Sequence, residues 1–115
     1  MKIKTNELTG AALDWAVAEA AGLETYFDDG VVCLKGQPFD DTGSYWLPTQ
    51  NWAQGGPIIE REGIELLCES LGFRWVAMPQ KGPEWRGPTP LIAAMRCYVA
   101  SKLGDEVNVD LLART

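Results

Sequence analysis

The stretch YWLPTQNWAQGGPIIEREG, residues 45–63, holds more chemical variety than any other part of the chain. Two tryptophans and a tyrosine lie in it beside amide side chains, charged groups and a Gly-Gly-Pro step. Four of its residues have the i, i+3, i+4, i+7 spacing of one helical face, namely Trp52, Gly55, Gly56 and Ile59. This spacing predicts a helix that begins near residue 51.

The Gly55-Gly56-Pro57 step conflicts with that helix, because Gly costs roughly 1 kcal/mol and Pro roughly 3 kcal/mol relative to Ala in a helix interior. In one interpretation, a helix over residues 51–62 is capped by Thr49 or Asn51 and kinked near Pro57, and the glycines let a backbone or a ligand approach closely. In the other, Pro57 begins a short helix, and the glycines form a loop whose amides can bind an anion. The kinked helix is the preferred interpretation.

The chain has the length and composition of one folded domain. Its 115 residues are 46% apolar and include five tryptophans, which is enough for one hydrophobic core. No apolar run approaches the ~20 residues of a membrane span, and the N-terminus lacks the apolar region of a signal peptide. We therefore expect a soluble, cytoplasmic protein that does not bind membranes.

The chain contains no histidine, which removes the commonest general base and most zinc or iron sites. An enzyme would have to rely on carboxylates, lysine, tyrosine or thiols. The three cysteines, Cys33, Cys68 and Cys97, are widely spaced in apolar surroundings, which is typical of buried reduced thiols and not of a disulfide framework or a metal site. We predict no catalytic residue, no metal and no cofactor.

The net charge of −6 arises from ten basic and sixteen acidic residues. Nucleic-acid binding draws on clustered Lys and Arg, so we expect no direct contact with nucleic acid. An acidic surface keeps a small domain soluble and can also meet a basic protein.

Before residue 45, the sequence predicts an edge strand, a helix and a buried strand. The strand covers residues 2–5 and the helix runs from Gly10 to Ala21, with Thr9 as its N-cap and Gly22 as its left-handed C-cap. On this helix Trp15 is expected in the core, and the residues expected nearest to solvent are Asp14, Ala18 and Glu19. The buried strand Val31–Leu34 follows a turn at residues 28–30, and a loop covers residues 35–44.

After residue 63, the sequence predicts a hairpin, a loop and a final helix. Residues 64–68 and 73–77 form the hairpin, although a helix over residues 64–70 is an alternative. Residues 78–89 hold several prolines and are predicted to lack regular structure, and Trp85 there either folds back onto the core or meets a partner. The helix Leu91–Leu103 begins after Thr89-Pro90 and carries an apolar stripe, namely Ile92, Met95, Val99 and Leu103. Residues 105–115 are a tail or contribute an edge strand.

These elements predict a single α+β domain over residues 1–115. About three helices should pack on one face of a short, mostly antiparallel sheet of three to five strands. The oligomeric state stays open, with a monomer preferred.

Three blocks of the sequence, in this order, resemble the NinX-like family of small phage and prophage proteins of unknown function. They are Leu8-Thr9-Gly10-x-Ala12-Leu13-Asp14-Trp15-Ala16-Val17, Asn51-Trp52-Ala53-Gln54-Gly55-Gly56-Pro57-Ile58-Ile59-Glu60-Arg61, and residues 90–107 from Pro90-Leu91-Ile92-Ala93 to Asp105-Glu106-Val107. The resemblance implies a tailed bacteriophage or prophage origin, and hence the host cytoplasm, and it carries over no catalytic residue. One departure is Asn51, where the family motif has Asp before the tryptophan. The change alters charge and keeps the capping ability.

Three functions fit these observations, in order of preference. The first is a phage accessory protein that binds a host protein without catalysis. An exposed apolar patch of roughly several hundred Å² would favour it. The second is a nucleotide-like small-molecule binder or sequestering protein, which would need a concave pocket under Trp52. The third is a histidine-independent enzyme, which raised carboxylate pKa values within one cleft would favour.

The candidate binding residues combine aromatic platforms, amides, free backbone groups and a cation, the set that stacking, edge recognition and anion contact require. They are Tyr45, Trp46, Asn51, Trp52, Gln54, Gly55, Gly56, Arg61 and Trp85.

Overall fold

In the computed structural model, which describes residues 1–36, 45–69, 71 and 74–109, three α-helices combine with seven short strands. In chain order they are β1 (Lys2–Lys4), α1 (Gly10–Ala21), β2 (Thr25–Asp28), β3 (Val31–Leu34), α2 (Trp52–Glu62), β4 (Glu65–Glu69), β5 (Arg74–Met78), β6 (Trp85–Gly87), α3 (Pro90–Leu103) and β7 (Glu106–Asn108). The α+β class is confirmed. The strands form three small antiparallel sheets, β1-β7, β2-β3 and β4-β5-β6, in place of the single sheet expected.

Helix α3 is the centre of the core. It contacts α1, α2, β5 and β6, so it is buried on most of its circumference and not along one stripe. Met95 and Val99 of the predicted stripe are fully buried, as are Ala93 and Ala94, whereas Leu103 is 39% exposed. The predicted boundaries are confirmed: the Thr89 hydroxyl accepts a hydrogen bond from the Ile92 amide at 3.1 Å.

Helix α1 has the predicted boundaries, and Gly22 ends it in the left-handed conformation at φ 74°. Trp15 is buried as predicted and Glu19 is exposed. The prediction that Asp14 and Ala18 face solvent is wrong, because both are buried. Helix α1 packs against α3 and β3, and its alanine-rich sequence has no polar face that would mark a solvent side.

Helix α2 is one helix with Pro57 inside it, which confirms the single-helix interpretation against the loop and short helix. The Asn51 side chain caps it by accepting a hydrogen bond from the Ala53 amide at 2.9 Å. Gly55 is required by close packing, since a Cβ atom there would lie 2.5 Å from the carbonyl oxygen of Pro48 and 2.7 Å from Cδ2 of Leu91. The expected close approach of another backbone is therefore confirmed at Gly55.

The β4–β5 hairpin is confirmed, and the helical alternative for residues 64–70 is not observed in the described part, residues 64–69. The prediction that residues 78–89 lack regular structure is wrong, because Trp85–Gly87 forms β6, with Ala77 paired to Trp85 and Trp75 to Gly87. Three residues suffice for a strand when an existing edge supplies the hydrogen bonds, and Pro83 and Pro88 lie outside this run.

The chain termini meet in the β1–β7 ribbon, where Ile3 is paired with Val107, so both predicted edge strands are present. The Thr5 amide and hydroxyl donate hydrogen bonds to the carbonyl oxygens of Asp105 and Gly104, at 2.8 and 2.7 Å. Most of the predicted 35–44 loop, and residues 110–115 of the tail, lie outside the described residues.

No disulfide joins the three cysteines, and two of them lie where predicted. Cys33 and Cys97 are buried, but Cys68 is exposed, which corrects the prediction of three buried thiols. Cys68 lies near the end of β4, an edge strand of its sheet, where neighbouring elements cover less of the side chain.

Candidate functional site

The segment that leads into α2 is held by hydrogen bonds from three directions. The Gln54 side-chain carbonyl accepts from the Leu47 amide, and its NH₂ group donates to the Tyr45 carbonyl, both at 2.7 Å. The Trp46 amide donates to the carbonyl oxygen of Val32 at 2.8 Å. The Gln54 amide, predicted as a ligand-binding group, is thus used to fix the backbone.

Asp14 holds the same segment from α1. Its carboxylate oxygen Oδ1 accepts hydrogen bonds from the Thr49 amide at 3.0 Å and the Thr49 hydroxyl at 2.8 Å. Burial raises the pKa of Asp14 to about 6, and the two bonds from Thr49 lower it in part. The Asp14 side chain is 1% exposed, and it does not line the groove of about 850 Å³ at Trp85 or the two smaller cavities at the end of α3. Its pKa is therefore raised by burial in the core and not by a position in a cleft.

The three aromatic residues of the segment separate into two exposed and one buried. Trp46 is 9% exposed and belongs to the core, whereas Tyr45 and Trp52 are 39% and 53% exposed. The Trp52 ring lies along its own helix, because a Cβ atom at Gly56 would be 3.9 Å from Trp52 Cε3. Trp52 is therefore a surface residue on the first turn of α2.

Two further candidate groups do not join Trp52 in one site. The Gly55 amide donates to the Asn51 carbonyl at 2.9 Å, so it is not free for an anion. Arg61 lies nine residues after Trp52, about 13 Å further along the helix axis. Its Nε donates to the Glu62 carboxylate at 3.2 Å, and its Cζ lies 5.9 Å from the Tyr98 ring centre.

Trp85 lines an open groove of about 850 Å³ that the sequence pattern did not reveal. This groove, the Trp85 groove, lies between β6, α3 and the β1–β7 ribbon, and its cations are Lys4, Arg74, Arg86 and Arg96. Residues from widely separated parts of the chain form it, and the only local signal was the tryptophan in a proline-rich stretch. Trp85 itself is half-buried and packs against the core, as the first alternative predicted.

Two of the groove cations are neutralised by carboxylates. Arg86 donates from Nε to Glu69 at 3.2 Å and from Nη2 to Glu84 at 3.0 Å, and these contacts raise the pKa of Arg86. The Nε atom of Arg74 lies 3.6 Å from the same Glu69 oxygen. These side chains form an ion-pair network on the outer face of the β4-β5-β6 sheet.

Arg96 differs from those two arginines. Its Nε donates to the Leu8 carbonyl at 2.9 Å and its Nη1 to the Arg86 carbonyl at 2.8 Å. No ion pair joins it to a carboxylate in the described part of the chain. Burial lowers the pKa of Arg96.

Two smaller cavities, of about 270 and 170 Å³, lie between residues 79–83 and the end of α3. Cys97 lines both, and burial raises the pKa of its thiol to about 11. The thiol is therefore protonated at neutral pH and is a poor nucleophile. Among the described residues, no group of three or more Cys, Asp or Glu side chains is placed to hold a metal ion.

Within the described ranges, no helix has both the length and the apolar character needed to cross a membrane.

The model of the family described as Bacteriophage P22, NinX matches residues 4–102 of the chain. No curated protein matches the chain. The three sequence blocks that carry the resemblance fall on α1, on α2, and on α3 with the start of β7. Helices α1 and α2 both contact α3. Gly55 of the second block packs against Leu91 of the third, and Asp14 of the first binds Thr49, two residues before the second block. Packing of the fold accounts for these residues of the motif.

Proposed function

Because the chain belongs to the NinX family of bacteriophage proteins, we propose that this phage accessory protein acts in the host cytoplasm by binding a host protein, without catalysis. The binding surface is the first turn of α2, with Trp52 as its anchor, together with Tyr45 of the segment that leads into α2. The exposure of Trp52 is the single observation that carries the proposal.

Trp52 has the properties of an interface anchor. More than half of its side chain is exposed although it is the largest apolar residue type, and tryptophan is enriched among the residues that dominate binding energy in protein interfaces. Burying the exposed part of the ring in a partner would remove a large apolar area from water, at about 25 cal/mol per Å².

The backbone under Trp52 is fixed before any partner arrives. The Asn51 cap, the two bonds of Gln54 and the close packing of Gly55 on Pro48 hold the first turn of α2 in place. A preorganised anchor loses little conformational entropy on binding. This rigidity favours recognition by a formed surface.

The shape around Trp52 favours a protein over a small molecule. Small-molecule sites are concave and bury most of their ligand. The Trp85 groove and the two smaller cavities are not lined by Trp52 or Tyr45. Trp52 is half exposed on a helix, which suits insertion into a pocket on a partner.

The test is native mass spectrometry of tagged protein recovered from infected or lysogenic host cells, combined with a photo-crosslinking amino acid at position 52. We expect one stoichiometric host protein that is lost with Trp52→Ala and crosslinks at position 52. Leu67→Ala is the matched control, because Leu67 is also 53% exposed but lies on β4. Glu60, exposed at the far end of α2, is the control position for the crosslinker.

Three results would contradict the proposal. A partner retained in Trp52→Ala but lost in Leu67→Ala would move the interface to the β4-β5-β6 sheet. An excess mass of a few hundred daltons that is lost with Trp52→Ala would indicate a small-molecule ligand on α2 instead. Recovery of the tagged protein without any bound host protein, from infected cells that express it fully, would exclude a stable complex.

A further inference from the structure

We infer that the Trp85 groove is a second binding site, for a small anionic ligand that carries a flat ring and has the chemistry of a nucleoside diphosphate. The groove does not include Trp52. Its occupancy is therefore independent of the proposed protein interface, and failure of either leaves the other standing.

Arg96 is the cation in the groove that most needs an anion. A guanidinium carries five N–H donors, and Arg96 uses one on Nε and one on Nη1 for the carbonyl oxygens of Leu8 and Arg86. These two bonds fix the plane of the group, and no ion pair within the described residues involves its Nη2. A partly buried charge without a counter-ion is unfavourable, so a bound anion would stabilise it.

Lys4 is the second cation that is not in an ion pair within the described part of the chain. It lies on β1, on the ribbon side of the groove, whereas Arg96 lies on α3. Arg74 and Arg86 already contact Glu69 and Glu84. Lys4 and Arg96 are thus the groove cations available for an anion of the ligand.

The carboxylates of the groove explain why charge alone should not bind an anionic ligand tightly. Four cations line it, against three acids, which are Glu84, Asp105 and Glu106. Glu106 lies directly opposite Lys4 in the ribbon. Glu69, the partner of Arg74 and Arg86, cancels this excess, and the whole chain has a net charge of −6. A bare anion should therefore bind weakly, and a further contact is needed.

Trp85 supplies that contact. The pairing of β6 with β5 fixes its backbone, and its side chain packs partly against the core. The residue lines both the groove and the smaller of the two cavities at the end of α3. Stacking on an aromatic side chain is favourable for every base, because each base has a π-face. The volume of about 850 Å³ lies within the range of roughly 300–1,000 Å³ that small-molecule sites occupy.

Isothermal titration of the full chain with ADP, GDP, CDP and UDP tests the inference, with inorganic pyrophosphate as the anion without a ring. We expect at least one nucleoside diphosphate to bind one site per chain, at least about tenfold more tightly than pyrophosphate, which corresponds to the lower end of the stacking energy. No binding by any of the four would overturn the site. Equal binding of pyrophosphate would overturn the role of Trp85.

Lys4→Ala and Lys2→Ala form a matched pair, because both lysines are exposed on the same face of β1 and only Lys4 lines the groove. We expect Lys4→Ala to weaken nucleotide binding about tenfold, the loss of one charge-assisted hydrogen bond, and Lys2→Ala to leave it unchanged. Equal effects of the two would show diffuse attraction to surface charge and would overturn the inference.

Trp85→Leu, with Trp52→Leu as its control, separates this groove from the α2 surface. Only Trp85→Leu should weaken nucleotide binding. A circular-dichroism spectrum of this variant equal to that of the unchanged chain would show that its fold is intact. Arg96→Lys should also weaken nucleotide binding, because lysine keeps the charge but loses the forked geometry. Binding of a ten-residue oligothymidylate without any nucleotide binding would overturn the inference in favour of single-stranded nucleic acid.

Discussion

Asp14 Oδ1 accepts both the backbone N–H and the hydroxyl of Thr49, at 3.0 and 2.8 Å, although the two residues are 35 positions apart in the chain. This contact joins α1 to the segment before α2, which presents Tyr45 and Trp52. Both partners are buried, at 1% and 5% exposure. A charged group at the centre of the fold thus holds the proposed interface in place.

The raised pKa of Asp14 predicts a pH dependence of stability. In the folded chain its pKa is about 6, against 3.8 for the unperturbed group. Between about pH 4 and pH 6 the unfolded chain therefore releases this proton first and the folded chain binds more protons, so the contribution of Asp14 to stability falls as pH rises. The difference in free energy of unfolding between the unchanged chain and Asp14→Asn should fall by about 2 kcal/mol from pH 4 to pH 7.

Urea unfolding at a series of pH values measures this difference. Asp14→Asn is the suitable comparison, because it keeps an oxygen acceptor for Thr49 and lacks the titrating proton. Parallel stability curves for the two chains would show that Asp14 has an ordinary pKa and that burial does not perturb its carboxyl group.

The three thiols should differ in reactivity. Cys68 is exposed, whereas Cys33 and Cys97 are buried and burial raises the pKa of Cys97 to about 11. With Ellman's reagent at pH 8, one thiol per folded chain should react within the mixing phase and two only after a denaturant is added. Cys68→Ser should remove the fast phase alone. Two fast thiols in the unchanged chain would contradict the burial of Cys33 or Cys97.

Helix boundaries were predictable from the sequence because local chemistry determines them. The Thr89-Pro90 step begins α3, Gly22 ends α1, and Asn51 caps α2, each through contacts within a few residues. The burial of Asp14 was not predictable, since its partner is remote and the alanine-rich α1 has no distinct polar face.

The candidate site was only partly predictable for the same reason. The unusual composition of one stretch singled out Trp52 as a candidate, but it favoured a place for Trp52 in the core, and only the fold shows that the ring is exposed. The Trp85 groove depends on β6, a strand of three residues that exists through its pairing with β5. Arg96 lies outside the apolar stripe that the sequence of α3 predicts, and only the fold places it beside Trp85.

Gln54 should stabilise the segment before α2 through its two bonds to Leu47 and Tyr45. Gln54→Ala removes both, leaves the Leu47 amide without its acceptor, and should destabilise the fold by about 1–3 kcal/mol. Hydrogen exchange of the Leu47 amide should become faster in the variant. Gln50→Ala, an exposed neighbour, is the control and should leave both quantities unchanged. Unchanged exchange at Leu47 in Gln54→Ala would refute the role of this side chain.

Gly55 and Gly56 are adjacent but should respond to alanine in opposite ways. At Gly55 the added Cβ would lie 2.5 Å from the Pro48 carbonyl oxygen, a backbone atom, so Gly55→Ala should force α2 away from this segment and cost about 2 kcal/mol or more. At Gly56 the nearest atom is Trp52 Cε3 at 3.9 Å, which is ordinary contact, so Gly56→Ala should stabilise the helix by about 0.5–1 kcal/mol. Thermal and urea unfolding of the two variants measure the pair. The intrinsic helix propensity changes equally in both variants, so a difference between their free energies of unfolding reports the close packing of α2 on Pro48. Equal stabilisation by both alanines would show that this contact does not constrain the helix.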